Sequence, residues 1–151
     1  MSAEATASQS GSTAGSPPGS LRILVYSDDR TTRDKVRFGI GKRPERDLPP
    51  VEFVECATQY AVLKALDAGG IDVVILDGEA VPAGGMGIAR QLKDEIFNCP
   101  PILVLTGRVQ DAWLATWSRA EAAVPYPIDP VALCRATVAL ARQRLAATSG
   151  R

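Results

Sequence analysis

Apolar residues in this chain fall into short branched runs separated by helical stripes, and the two kinds of segment alternate from one end to the other. The run Arg22–Ser27 (RILVYS) is rich in strand formers and ends on Ser27-Asp28-Asp29. Next comes RTTRDKVRFGIGK, with Val36, Phe38 and Ile40 among charges, Asp29 or Thr31 available as an N-cap and Gly41 as a stop, which predicts a helix. Val51–Cys56 (VEFVEC) alternates apolar and acidic residues as an edge strand would. From Thr58, TQYAVLKALDAGG places Val62, Ala65 and Leu66 on one helical face and stops at Gly69-Gly70.

Val73–Leu76 is an uninterrupted aliphatic run, as in a strand covered on both faces, and it delivers Asp77 into a loop of Gly and Pro. Ile88–Phe97 repeats Ile88, Leu92 and Ile96 at helical spacing until Pro100-Pro101 ends it. Ile102–Leu105 is a fourth strand running into Thr106-Gly107-Arg108, followed by a helix near Gln110–Arg119 that carries Trp113 and Trp117. Ala122–Tyr126 is the last strand and Pro130–Ala147 the closing helix, with Leu133, Ala136 and Leu140 inward. Strand then helix, five times over, predicts an α/β fold with a doubly wound, five-stranded parallel sheet and right-handed crossovers.

Such a sheet gathers the residues that end its strands. Ser27, Asp28 and Asp29, then Asp77, Thr106 and Tyr126, all fall at the carboxyl edge, where open α/β sheets bind ligands. Each has a plainer reading. Asp77 could cap a turn, Asp28 and Asp29 could start a helix, and Thr106 could be a turn residue. Trp113 and Trp117, four apart, pack inward or, if exposed, mark a contact surface.

Composition narrows the chemistry. The 151 residues are enough for one domain with a core. Seventeen basic and seventeen acidic residues balance, so no overall field draws the chain to nucleic acid or to a membrane surface. With no histidine, triad catalysis and His-ligated metals are excluded. Cys56, Cys99 and Cys134 are too scattered for a zinc site or a disulfide framework. Residues 1–20, nearly all Ser, Ala, Gly, Thr and Pro, read as a disordered tail with no secretory signal, and no run is long enough to span a bilayer. The expected layout is a tail over 1–20, one domain over 21–147 and a short tail over 148–151, in a soluble cytoplasmic protein.

Clustered carboxylates repel unless a cation or a proton intervenes. An oxygen-rich pocket without His or Cys suits Mg²⁺, and a carboxylate so placed can accept a phosphoryl group, with the Thr106 hydroxyl on a phosphoryl oxygen. This layout resembles the receiver domain of two-component response regulators, a flavodoxin-like (βα)5 fold, over about Leu21 to Ala147. The resemblance implies Asp77 as phosphoacceptor, Thr106 as the phosphoryl contact, and Mg²⁺ held by Asp28, Asp29, Asp77 and the Glu79 backbone carbonyl. It also implies a histidine kinase or another protein as partner, phosphorelay signalling through protein contacts, and no enzymatic output.

This chain departs from the receiver pattern at several of those places. Ser27 stands where the first acid of the pair belongs, Tyr126 where a lysine precedes Pro127, and Ala123 where a switch aromatic belongs. Arg108 is a candidate for the missing charge, although loop arginines are ordinarily solvated. The losses open a second reading, a phosphorylation-independent pseudo-receiver. A haloacid-dehalogenase-like phosphatase is more remote, because Glu79 replaces its second Asp and its catalytic Lys is absent. A flavin is disfavoured by the acids of SDDRTT, where its phosphate would need amides and hydroxyls.

Overall fold

The aliphatic runs become five parallel strands: β1 (Leu21–Tyr26), β2 (Val51–Cys56), β3 (Val73–Asp77), β4 (Ile102–Thr106) and β5 (Ala122–Pro125). Between and after them lie α1 (Arg30–Ile40), α2 (Gln59–Ala68), α3 (Gly85–Glu95), α4 (Ala112–Ser118) and α5 (Pro130–Ser149). The structure, a computed structural model, describes residues 19–107 and 112–149. The predicted tail over 1–20 therefore lies almost wholly outside the described residues, as do the predicted start of the fourth helix and Arg108. Among the described residues no helix is long and apolar enough to cross a membrane.

The sheet order is β2-β1-β3-β4-β5, so the chain goes outward from β1 to β2 and then returns past β1 to β3. Strand order reverses between β1 and β3, and the register there sets Tyr26 beside Leu76. Because side chains alternate across a strand, Ile23, Val25, Val73, Ile75, Leu103 and Leu105 fall on one face under α1 and α5. Leu24, Tyr26, Val74, Leu76, Ile102 and Val104 fall on the other, under Val62 of α2 and Ile88 and Leu92 of α3. Two covered faces explain why the central strands read as unbroken apolar runs.

Local chemistry sets most helix ends. The Asp29 carboxylate accepts from the Thr31 N–H at 3.2 Å, and the Thr58 hydroxyl accepts from the Ala61 N–H at 3.1 Å. Gly41 and Gly69 close α1 and α2 with φ of 78° and 82°. Several boundaries differ from expectation, among them the end of α3 at Glu95 rather than Phe97 and the end of β5 at Pro125 rather than Tyr126. α3 begins at Gly85 rather than Ile88, because its first turn is glycine-rich and carries no apolar periodicity to read. α5 continues to Ser149, past the expected end at Ala147.

All three cysteines are free thiols, and Cys56 is buried. Burial pushes the Cys56 thiol up to about 11, against a slight opposing pull from Arg33. An unfolded chain loses this proton first. Its contribution to stability is therefore complete below pH 9 and lost as pH rises from about 9 to 11. We expect Cys56 to resist iodoacetamide in the native protein at pH 8 and to react fully in urea. Alkylation at equal rates in both conditions would contradict its burial.

Candidate functional site

Asp77 ends β3 at the point where strand order reverses, with β1 on one side and β4 on the other. The backbone around it is tight. A Cβ on Gly78 would lie 2.5 Å from the Leu105 carbonyl oxygen, and one on Gly85 would lie 2.7 Å from the Asp77 carbonyl oxygen. These glycines let the β3–α3 loop fold directly onto the strand ends. The Asp77 side chain is only 3% exposed.

Burial of a carboxylate requires that its oxygens find donors. Ser27 Oγ donates to Asp77 Oδ2 at 2.7 Å, Tyr126 Oη donates to Asp77 Oδ1 at 2.7 Å, and the Glu79 N–H donates to the same Oδ1 at 2.9 Å. Ser27 in turn accepts from the Asp29 N–H at 3.0 Å, so the start of α1 fixes which way its hydroxyl points. Arg33 Nη1 donates to the Ser27 carbonyl at 2.7 Å and holds the same turn from outside. Among the described residues no Lys or Arg forms an ion pair with Asp77.

Among the described residues the donors on Asp77 are thus neutral. The Tyr126 phenol is held above its ordinary value first by burial, then by its hydrogen bond to Asp77 and the charges of Asp77 and Glu79, with a hydrogen bond to Thr32 opposing. Tyr126 therefore stays protonated and donating throughout the physiological range. Tyr26 is also raised, by burial and then by Asp28 and Asp77.

The other expected site residues are only partly gathered. Asp28 lies exposed at the end of β1, with Oδ1 accepting from the Val81 N–H at 3.1 Å. Asp29 is the N-cap of α1, with Oδ1 on Thr31 N–H and Oδ2 accepting from Thr32 Oγ1 at 2.9 Å. Thr106 is buried at the end of β4, and its backbone carbonyl accepts from the Tyr126 N–H at 2.8 Å. The Glu79 carboxylate lies over Gly107, against the position that a Cβ there would take. Among the described residues no group of three His, Cys, Asp or Glu side chains is arranged to hold a metal ion. Asp29 is engaged at the start of α1 and both Asp77 oxygens accept from neutral donors, so a metal ion here would have to share or displace those bonds.

Sequence reading placed Ser27 and Tyr126 at the right edge but counted them as losses of an acid and a cation. The signal available was that both replacements are hydroxyls, the side chains able to donate to a carboxylate without carrying charge.

No protein-family model matches the chain. Response regulatory proteins of Mycobacterium tuberculosis, from strains CDC 1551 and H37Rv, are 62% identical over 122 residues, which covers 81% of this chain and 92% of theirs. Among solved structures, a Francisella response regulator receiver domain superposes with a TM-score of 0.69 at 14% identity, covering 82% of this chain and 98% of that one. A chemotaxis response regulator of Vibrio cholerae superposes at 0.64 with 18% identity, over 80% and 98%.

Proposed function

The chain belongs to the response regulators as a receiver domain, and from that premise we propose that it signals through protein contacts without phosphoryl transfer, with Asp77 serving as a buried structural anion. The observation that carries this reading is that, among the described residues, the three donors on Asp77 are all neutral. An acceptor carboxylate must free an oxygen to attack phosphorus, and the oxygens that gain charge need a cation or aimed donors. Here Oδ2 accepts one hydrogen bond, from Ser27, and Oδ1 accepts two, from Tyr126 and Glu79, and none of these donors is a cation. Tyr126, standing in the lysine position, brings a hydrogen bond but no positive charge.

Receiver domains generally bind Mg²⁺ at the phosphorylation site and generally contact histidine kinases and other proteins. The neutral donors on Asp77 support retention of the second property alone. Trp113 and Trp117 on α4 support it further, being 66% and 46% exposed, with the Arg90 guanidinium 4.9 Å from the Trp117 ring centre. Large aromatic rings held at a surface are common anchors of protein contacts.

The position of Asp77, with Asp28 and Thr106 on neighbouring strands, favours the phosphoacceptor as the second reading. Intact-mass measurement after incubation with Mg²⁺ and acetyl phosphate or phosphoramidate separates the two. We expect no phosphoryl adduct on either wild type or Asp77→Asn. A phosphoryl adduct on wild type that vanishes in Asp77→Asn would establish the acceptor and reject the structural anion.

A further inference from the structure

Both tryptophans of the chain stand in the outer surface of α4, four residues apart and therefore on one side of the helix. That side is turned toward α3. The Arg90 guanidinium of α3 lies over the Trp117 ring, and its Nη1 donates to the Trp117 carbonyl at 2.8 Å. Arg119, directly after α4, pairs with Asp94 of α3. A cation on its face and a tied backbone thus hold Trp117 in place, which lowers the entropy lost when a contact forms on it. Trp113 is the more exposed of the two, and among the described residues no cation lies over its ring.

Charge selects the occupant of this face. α4 has no ionisable residue from Ala112 to Ser118. Around it Asp94 pairs with Arg119, Lys93 with Glu121, and Arg90 rests on Trp117. The signs are interspersed, so neither an acidic nor a basic partner meets a block of opposite charge. A lipid surface would call for a row of Lys or Arg beside the aromatic rings, and α4 has none. A twofold pair requires instead a surface complementary to itself. Asp94 and Arg119, each about half exposed, can face Arg119 and Asp94 of a second copy turned about such an axis. The net charge of zero leaves no overall field to hold two copies apart. With the axis through the middle of α4, two antiparallel α4 helices set Trp113 of each copy against Trp117 of the other, an aromatic pair made twice.

We infer that the α3–α4 face is an interface between two copies of this chain, in which Trp113 of one packs on the Trp117 ring that Arg90 holds in the other. The inference rests on the reading of these rings as contact anchors, names their partner and requires no phosphoryl group on Asp77. Sedimentation velocity of the full chain over a concentration series, without phosphodonor or Mg²⁺, reads the dimer. Tryptophan emission from the same samples reads its location, because the chain has no third tryptophan. The expected result is a reversible monomer–dimer equilibrium, with emission moving to shorter wavelength as dimer forms. Trp113→Asp and Trp117→Asp should each weaken the dimer about tenfold or more. Phe38→Asp, on α1 across the sheet, should dimerise as wild type does. All three side chains are exposed, so circular dichroism should report an unchanged fold. A monomer at every concentration, a dimer that keeps its affinity in both tryptophan variants, or one that forms without a change in emission would overturn the inference. Association only with acetyl phosphate and Mg²⁺ would overturn it together with the structural-anion reading of Asp77. A phosphoryl adduct on a wild type that already dimerises without one would overturn that reading alone.

Discussion

Asp77→Ala is expected to destabilise the protein by about 2–4 kcal/mol, read from urea unfolding at constant m-value. The substitution strands the hydroxyls of Ser27 and Tyr126 and the N–H of Glu79, all aimed at one carboxylate. A buried donor left unpaired costs about 1–3 kcal/mol, less whatever an entering water recovers. Asp77→Asn should lose only about 1 kcal/mol, because its carbonyl keeps Tyr126 and Glu79 while its amide donates to Ser27 Oγ. Tyr126→Phe should cost a similar amount and show coupling to Asp77→Ala in a double-mutant cycle, since both remove the same bond. The opposite sign is as informative. If Asp77→Ala were more stable than wild type, the carboxylate would be under repulsion from Asp28 and Glu79, as in a pocket built to be neutralised by metal, and the structural-anion reading would fail.

The second large effect is Gly85→Ala. Its Cβ would lie 2.7 Å from the Asp77 carbonyl oxygen, 2.8 Å from its carbonyl carbon and 2.9 Å from that of Leu76. All three are backbone atoms of the strand that carries Asp77, so no side-chain rotation relieves the overlap. Either α3 lifts from β3 or the end of β3 shifts, and we expect a loss of about 3 kcal/mol or more in denaturant unfolding. Gly87→Ala, two residues on in α3, meets nothing within 4 Å and should instead gain about 0.5–1 kcal/mol from reduced unfolded-state entropy. Equal losses at both positions would indicate a general intolerance of α3 rather than a close helix–strand approach.

Expectation and structure parted where the signal was weak locally. Gly85 and Met86 start α3 without an apolar stripe, because that first turn is selected for closeness to β3 rather than for amphipathic packing. Asp29 carried two expectations, N-cap and metal neighbour, and the structure shows the first, with its carboxylate accepting from the Thr31 N–H and the Thr32 hydroxyl. An N-cap and a metal ligand look alike in sequence, because both are an acid just after a strand and just before a helix. Trp113 and Trp117 at helical spacing fitted either a core or a surface, and only the exposure of their rings separates the two.

The sequence by itself determined the alternation of strands and helices, the buried central run that ends on Asp77 and the caps at Asp29, Thr58, Gly41 and Gly69. Those signals are local, since periodicity of two or about 3.6 residues and the demands of a helix terminus are written within one turn or strand. Only the tertiary structure decided what Asp77 touches. Ser27 and Tyr126 lie 50 and 49 residues from it, and whether their hydroxyls reach its oxygens depends on the strand order that brings the ends of β1 and β5 to the end of β3. The packing of α1 beside α5 has the same origin. Phe38 and Pro130 are far apart along the chain, and their adjacency follows from both helices covering one face of the sheet.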